Sequence, residues 1–557
     1  MIKTINNRPT AITPVCIVCL LAIASVFNAP SQILQEETNK TTRIIVEHAD
    51  SSLVPKEYDF KVQILTGNLA FSHDNATMNC DSACLNSTEN TLDAYGNITM
   101  NQGDTLIIKG DVLHYDANQK IAELRKNVIM ENGEVTLITD SLDYDRELNI
   151  GFYFGGGILD DSLNVLTSYY GEYMPETKMA IFTDFTDSVK LDNKEKQFLL
   201  TTDSLEYNTE TKTAFIVSRT TIVSDSGYVF SDNGWYNTET ERSVLYNRST
   251  VISKDGSKNI TADSLHYDRM NNYTEAFGNM LLNDTARKAI IMGDYGFYEG
   301  TPERTFATGA AQLIEYSQGD SLYLHADTLM MQTVDAVREI TAYHGVRFFR
   351  TDFQGVCDSM YFNTGDSILS LYRNPVVWNG GYQVFGDTIH ILIDSSTVKK
   401  MTVRDFAFSV QEVDSAHHNQ LKGKIMTALF NAGEIYLLNV EGNAEALYYP
   451  VDEKDGSYVG LLRTTGSYIT FNIANRKPVR IKWTDETDMK LLPIPDLTPK
   501  DKFLQGYVDF NYLRPKDKSD IFYRIEMKSE DKHEPQKPRS RRAGRKIENT
   551  ETNKKDA

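Results

Sequence analysis

Along most of the chain, polar and apolar positions alternate with a period of two, and the alternation restarts at regularly placed Asp residues. In Asp263-Ser264-Leu265-His266-Tyr267-Asp268 an apolar residue stands two places after the Asp and an aromatic four places after it. The same pattern starts at Asp111, Asp140, Asp203, Asp232, Asp294, Asp327, Asp358 and Asp387, at intervals of 29–33 residues apart from one of 63. A degenerate copy, Gly171-Glu172-Tyr173, falls inside the long interval. A period of two predicts a β-strand with one wet and one apolar face. A fixed spacing of about 30 residues predicts a stacked repeat.

The apolar face is carried by Leu113 and Tyr115, Leu142 and Tyr144, Leu205 and Tyr207, Tyr236, Leu265 and Tyr267, and Tyr298. It continues through Leu329, Met360 with Phe362, and Ile389 with Ile391. Four sites break the polar face, namely Trp235, the pair Tyr295 and Phe297, Met330, and Tyr361, which predicts cover by a loop or a partner. A second signal follows most anchors by about sixteen residues: Asn127-Val128, Asn247-Arg248, Gly278-Asn279, Gly345-Val346 and Asn374-Pro375. Gly and Asn there supply backbone turns with positive φ. The unit is strand, turn, strand, turn, with no helical stretch, so the expected class is all-β.

Five segments are expected. Residues 1–29 form a signal peptide or N-terminal anchor, with Lys3 and Arg8 before the apolar run from Ala11 to Val26. Residues 30–57 are a linker, 58–400 the regular array and 401–528 a less regular β extension, within which Phe503 to Tyr512 is expected to dock back on the array. Residues 529–557 are a disordered basic tail. The first strands are expected at Tyr58 to Ala70 and Leu92 to Lys109, with a polar loop between them around Asn75 to Asn90.

A net charge of −20 argues against a nucleic-acid partner, because backbone phosphates would be repelled. Five cysteines are present; Cys80 and Cys84 are either a bridged pair in an oxidising compartment or two free thiols. Neither a metal-ligand cluster nor a cofactor fingerprint is found. No nucleophile motif, phosphate loop or His-Glu-x-x-His stands out. The repeated Asp residues fill one slot per coil, whereas a catalytic carboxylate pair occurs once, so they read as strand-start residues satisfying turn amides rather than as an acid and base. No catalytic activity is expected.

Stacked units of this kind curl into a solenoid or a folded-over jellyroll. If the walls close, the Leu and Tyr rows are core. If they stay splayed, the rows line a groove for acyl chains, each buried CH₂ contributing roughly 0.8 kcal/mol. Strand edges at both ends invite pairing with another chain.

Ala276-Phe277-Gly278-Asn279-Met280 followed by Gly293-Asp294 and Tyr298, and Ile260-Thr261-Ala262-Asp263-Ser264-Leu265-His266-Tyr267, resemble the OstA-like family of periplasmic lipopolysaccharide-transport proteins of the Lpt A type. The resemblance runs from about Tyr58 to Asn475. Phe349-Arg350-Thr351-Asp352-Phe353 and Asp509-Phe510-Asn511-Tyr512 are similar to the large stand-alone members from Bacteroidetes-type bacteria. The resemblance implies an elongated β-jellyroll in the periplasm, exported by the N-terminal segment. It implies lipopolysaccharide as ligand and end-strand pairing with other Lpt-type components or head-to-tail with itself. The chain departs from the Lpt A type in its much greater length and its basic tail. Two rival functions remain: a structural or adhesive solenoid, and a polysaccharide-active β-helix enzyme.

Overall fold

The structure, a computed structural model, describes residues 42–531 except 57–60, 318, 395–396, 453 and 476. The signal segment and nearly all of the basic tail lie outside the described residues. Among the described residues forty strands are present, and every pairing between them is antiparallel. The meander is clearest near its start. Val62–His73, Ala76–Asn86, Thr91–Gln102, Leu106–Asp116, Ile121–Asn132, Val135–Asp145, Ile150–Asp160 and Asn164–Met174 each pair with the next. Each is 11 or 12 residues long and shifts register near its middle. At that shift the strand folds over, so its two halves lie in two facing walls. Wall one carries the residues that follow each Asp anchor; wall two carries those that precede it.

The two sequence signals are two parts of one bending device. Gly67 and Asn68, Gly96 and Asn97, Lys126 and Asn127, and Gly278 and Asn279 all have φ between 45° and 83°. The Asp of the neighbouring strand binds that bend. Asn127 Nδ2 donates to Asp111 at 2.6 Å, Asn279 Nδ2 to Asp263 at 2.6 Å, and Asn97 Nδ2 to Asp81 at 2.8 Å. A side chain on Gly278 would stand 2.6 Å from the Asp263 carboxylate, so the carboxylate occupies the space that glycine leaves. The Asp therefore marks the spine between the walls: Asp111, Asp140, Asp294 and Asp358 lie inside a folded strand, whereas Asp203, Asp232, Asp263, Asp327 and Asp387 stand directly before one.

From Met179–Thr183 to Ser264–Asp268 the halves are separate short strands, and farther on long folded strands such as Tyr273–Asp284 and Val337–Arg350 alternate with short ones, but the wall pairing continues. It runs to Lys477–Thr484 in wall one and Asp488–Leu492 in wall two. One expectation is corrected and one open alternative is decided. The segment around Asn75 to Asn90 is mostly the strand Ala76–Asn86, not a loop. Cys80 and Cys84 are free thiols four residues apart on that strand, about 13 Å along it, too far for a bridge.

The C-terminal segment docks on the array, as its apolar residues predict, and it does so on the outer face of wall two. Leu504, Phe510 and Leu513 pack with Val356, Val376, Trp378, Phe385, Phe408, Val410 and Leu447 into a second core. Three buried glutamines hold this strap. Gln420 donates to the Lys502 carbonyl and accepts from the Leu504 amide, at 2.8 and 2.9 Å. Gln383 does the same for Val508 and Phe510, at 2.9 and 2.8 Å. Gln354 accepts from Arg514 at 2.7 Å. The outer-face aromatics of wall one instead pack on one another. Phe297 stacks on Phe306 at 5.6 Å, and Phe277 meets Tyr295 at 5.2 Å.

Candidate functional site

The space between the walls is lined by rows that run across the strands. The row nearest the wall-one edge passes through Tyr115, Ala122, Tyr144, Gly151, Tyr173, Ala180, Tyr207, Ala214, Tyr236, Ser243, Tyr267, Thr274 and Tyr298. A tyrosine on one strand is always followed by a small residue on the next. The alternation gives each ring the room left by its neighbour, as dense packing requires. A deeper row passes through Leu113, Leu142, Leu205, Leu265, Leu329, Met360 and Ile389. Sequence reasoning finds the large residues and misses the small ones. Their signal is a fixed offset: Ala122, Gly151, Ala180, Ala214, Ser243, Thr274 and Thr305 each stand seven residues after the tyrosine they face.

From Tyr115 to Tyr236 the rows are sealed, with each tyrosine ring at most 1% exposed. Polar bridges tie the two edges together over this half. Arg146 donates to Gln102 at 2.8 Å and to the His73 carbonyl and Asn75, both at 3.1 Å, and bonds to the Tyr115 hydroxyl. Asn132 donates to the Tyr173 hydroxyl and the Pro175 carbonyl. Tyr207 donates to Asp161 at 2.5 Å, which also pairs with Lys212 at 3.1 Å. Arg269 bonds to Glu241, Ser226 and Asp225. The bridge farthest along the chain is Lys258 on Tyr298 and Glu303, with Arg287 also on Glu303. Burial raises the pKa of the Tyr115, Tyr173 and Tyr267 phenols, so they stay neutral hydrogen-bonding groups.

Beyond Tyr298 the row changes character. It continues as Thr305, Met331, Ile340, Phe362, Leu369, Ile391 and Met401, without the tyrosine–small alternation. Met331, Ile340, Phe362, Leu369 and Met401 are half-buried. Strand length explains the change. Thr397–Glu412, His418–Asn431, Glu434–Tyr448 and Leu461–Ala474 have 14–16 residues. The bend at Asp405 and Phe406 leaves residues 397–404 in wall one and 407–412 in wall two. Wall one thus overhangs by roughly 7 Å, two residues at about 3.3 Å each. Val398, Ile435, Ile473 and Ile481 on the overhang are only partly covered.

All the residues expected to line a groove therefore face inward. Leu113, Tyr115, Leu142, Tyr144, Leu205, Tyr207, Tyr236, Leu265 and Tyr267 lie where protein fills the interior. Tyr298 sits at the transition; Leu329, Met360, Phe362, Ile389 and Ile391 lie in the splayed half, with Phe362 the most accessible of these five.

One bridge is acid-sensitive. His73 Nδ1 lies 2.6 Å from the Tyr115 hydroxyl and 3.1 Å from Arg146. Burial holds its pKa below 6.5; Asp74 opposes the shift and Arg146 adds to it. A histidine with a lowered folded-state pKa contributes stability above the unfolded value, and that contribution is lost as pH falls below it. Hydrogen exchange in Val62–His73 and Leu106–Asp116 is expected to accelerate as pH is lowered from 6.5, after correction for intrinsic rates. His73→Gln is expected to flatten that response, leaving only the part from His325 and His390, whose pKa values burial also lowers.

Comparison with known proteins finds a family model and a number of solved structures. Residues 41–199 and 185–257 match the family model of OstA-like proteins. No curated protein matches the chain. Among solved structures, one match is LptH of Pseudomonas aeruginosa, described as the LptA-homologous periplasmic component of the conserved lipopolysaccharide transport device. It is 13% identical, with 25% of this chain and 95% of that chain covered and a TM-score of 0.21.

Proposed function

We propose, on the premise that the chain is OstA-like over residues 41–257, that it is a periplasmic lipid-binding protein. In this reading it takes part in transporting lipopolysaccharide to the outer membrane and works without catalysis. The observation that carries the reading is the pair of inward apolar rows that run unbroken across the strands and emerge half-covered beyond Tyr298. Acyl chains would enter over Met331, Ile340 and Phe362. The bridged half would receive them only by parting its edges, with Leu142, Tyr144, Leu205, Tyr207, Leu265 and Tyr267 as the lining. Both ends of the array offer strand edges for Lpt-type partners or a second copy: Ile45–His48 with Ser51–Leu53 at one end, and Lys477–Thr484 with Asp488–Leu492 at the other.

A structural solenoid is the second reading, favoured by the complete burial of the tyrosine row from Tyr115 to Tyr236. Native mass spectrometry of the full chain purified from its own cells separates the two. Bound lipopolysaccharide, together with crosslinks from a photoreactive residue at Ile340 but not at Phe154 on the outer face, is expected for transport. A protein free of lipid with no crosslink at either position supports the solenoid.

A further inference from the structure

The cleft at the transition between the two halves holds one more cation than anion. Its floor is Leu282, Ala289, Ile291 and Met331, and its rim carries Lys258, Arg287 and Arg338 against Asp284 and Glu303. The two carboxylates are already taken. Glu303 accepts from Lys258 at 2.6 Å, from both Arg287 nitrogens at 2.7–2.8 Å and from Thr333 at 2.9 Å. Asp284 accepts from Arg287 at 2.7 Å. Three cations thus face two anions, and the surplus one is Arg338. Its Nε is buried without a hydrogen-bond partner, and among the described residues it makes no ion pair. Burial lowers its pKa and the Arg287 charge pushes the same way, while Asp284 and Glu303 oppose the shift from a distance without pairing with it, yet a guanidinium does not release its proton in a protein. An unpaired, half-buried cation costs free energy unless an anion completes it.

From this imbalance beside an apolar floor we infer that the cleft binds a phosphate group, with Arg338 as its principal contact. The guanidinium offers the fork geometry that suits phosphate oxygens. A phosphate borne on an acylated head group would also place its first methylenes on Leu282, Ile291 and Met331, at the point where the interior opens. The head-group source rests on the lipid-binding reading above; the phosphate site itself does not.

The test uses the full chain with three probes: dioctanoyl phosphatidic acid, dioctanoylglycerol and inorganic phosphate, each titrated by calorimetry against wild type and Arg338→Met. Wild type is expected to bind the phosphorylated lipid roughly tenfold or more tightly than the phosphate-free one, and Arg338→Met to abolish that difference. Inorganic phosphate bound as tightly as the phosphorylated lipid, and lost in Arg338→Met, supports the site and assigns it to the free ion. Equal binding of both lipids by wild type, or a preference that survives in Arg338→Met, overturns the site while leaving the lipid reading intact. If neither lipid binds, the lipid reading fails; phosphate binding alone then decides the site. Thermal unfolding is the second measurement. Removing an unpaired charge is expected to leave the unliganded melting temperature equal or higher, and to remove its rise with phosphate. A lower melting temperature in the variant, with the phosphate-dependent rise retained, marks Arg338 as a structural strut and overturns the inference.

Discussion

Replacing Gly171 with leucine, the residue at the equivalent place in the units of Leu113, Leu142, Leu205, Leu265 and Leu329, is expected to destabilise the chain by about 3 kcal/mol, the upper part of the range for overpacking. The reason is local. Tyr153 is fully buried, and its ring lies between Gly157 and Gly171, with its hydroxyl 2.6 Å from Ser168. A Cβ on Gly171 would stand 2.3 Å from the ring, and one on Gly157 would stand 2.4 Å from it. Neither neighbour is a flexible tip that can swing away, so the ring must leave its site. The degenerate repeat is therefore degenerate by compensation. Where other units place Leu142 or Leu205, this one places glycine, and the tyrosine of the adjacent strand fills the gap. Urea unfolding with hydrogen exchange over Ile150–Thr183 checks this, since loss of stability in a repeat array starts near the lesion. The double variant Gly171→Leu with Tyr153→Ala is expected to recover part of the loss, because the two positions share one volume. If Gly171→Leu alone is as stable as wild type, or the double variant is worse than the single, the wedge does not hold.

The same example shows where the sequence is legible. A period of two and a spacing of about 30 residues follow from the geometry of one strand and one coil, so the class, the stacking and the inward residues such as Leu265 and Tyr267 could be read directly. The Asp263 and Gly278-Asn279 signals were also visible, but as separate features. That they meet at one bend is a statement about neighbouring strands, and no single-strand pattern contains it. Ala76–Asn86 was hidden because its inward residues are Ala76, Met78, Cys80, Ala83 and Leu85, which carry no Leu–Tyr pair. Its two residues between Cys80 and Ala83 at the bend also break the alternation.

The edge bridges were less legible still. Arg146 reaches His73 across 73 residues, and Arg269 reaches Lys196 across the same separation. Each looks in sequence like an exposed turn residue. The strap could be anticipated from the apolar run Phe503 to Tyr512, but its docking face could not. That face is set by Gln354, Gln383 and Gln420, polar residues whose amides act as substitutes for a neighbouring strand. The splaying depends on strand halves of unequal length, which only the position of each bend reveals.

The unequal walls decide how a lipid path should be probed. A carboxylate at Leu265, which is fully buried, tests folding rather than binding. Met331 and Met330 are adjacent, both half-buried, and on opposite faces of wall one: Met331 pairs across the strands with Thr305 and Ile340 on the inside, Met330 with Phe306 and Thr341 on the outside. Met331→Glu is expected to lower affinity for an acylated lipid by roughly 100-fold, about 3 kcal/mol if some four methylenes lose their cover. Met330→Glu is expected to leave binding unchanged, and each should cost only about 1–2 kcal/mol of stability because half of the side chain already meets water. Opposite effects at neighbouring positions distinguish a path between the walls from a patch on the surface. Equal loss at both would point to general damage, and equal retention would move the lipid out of the splayed half. Either result defeats entry over Met331, whatever the chemistry of the head group at Arg338.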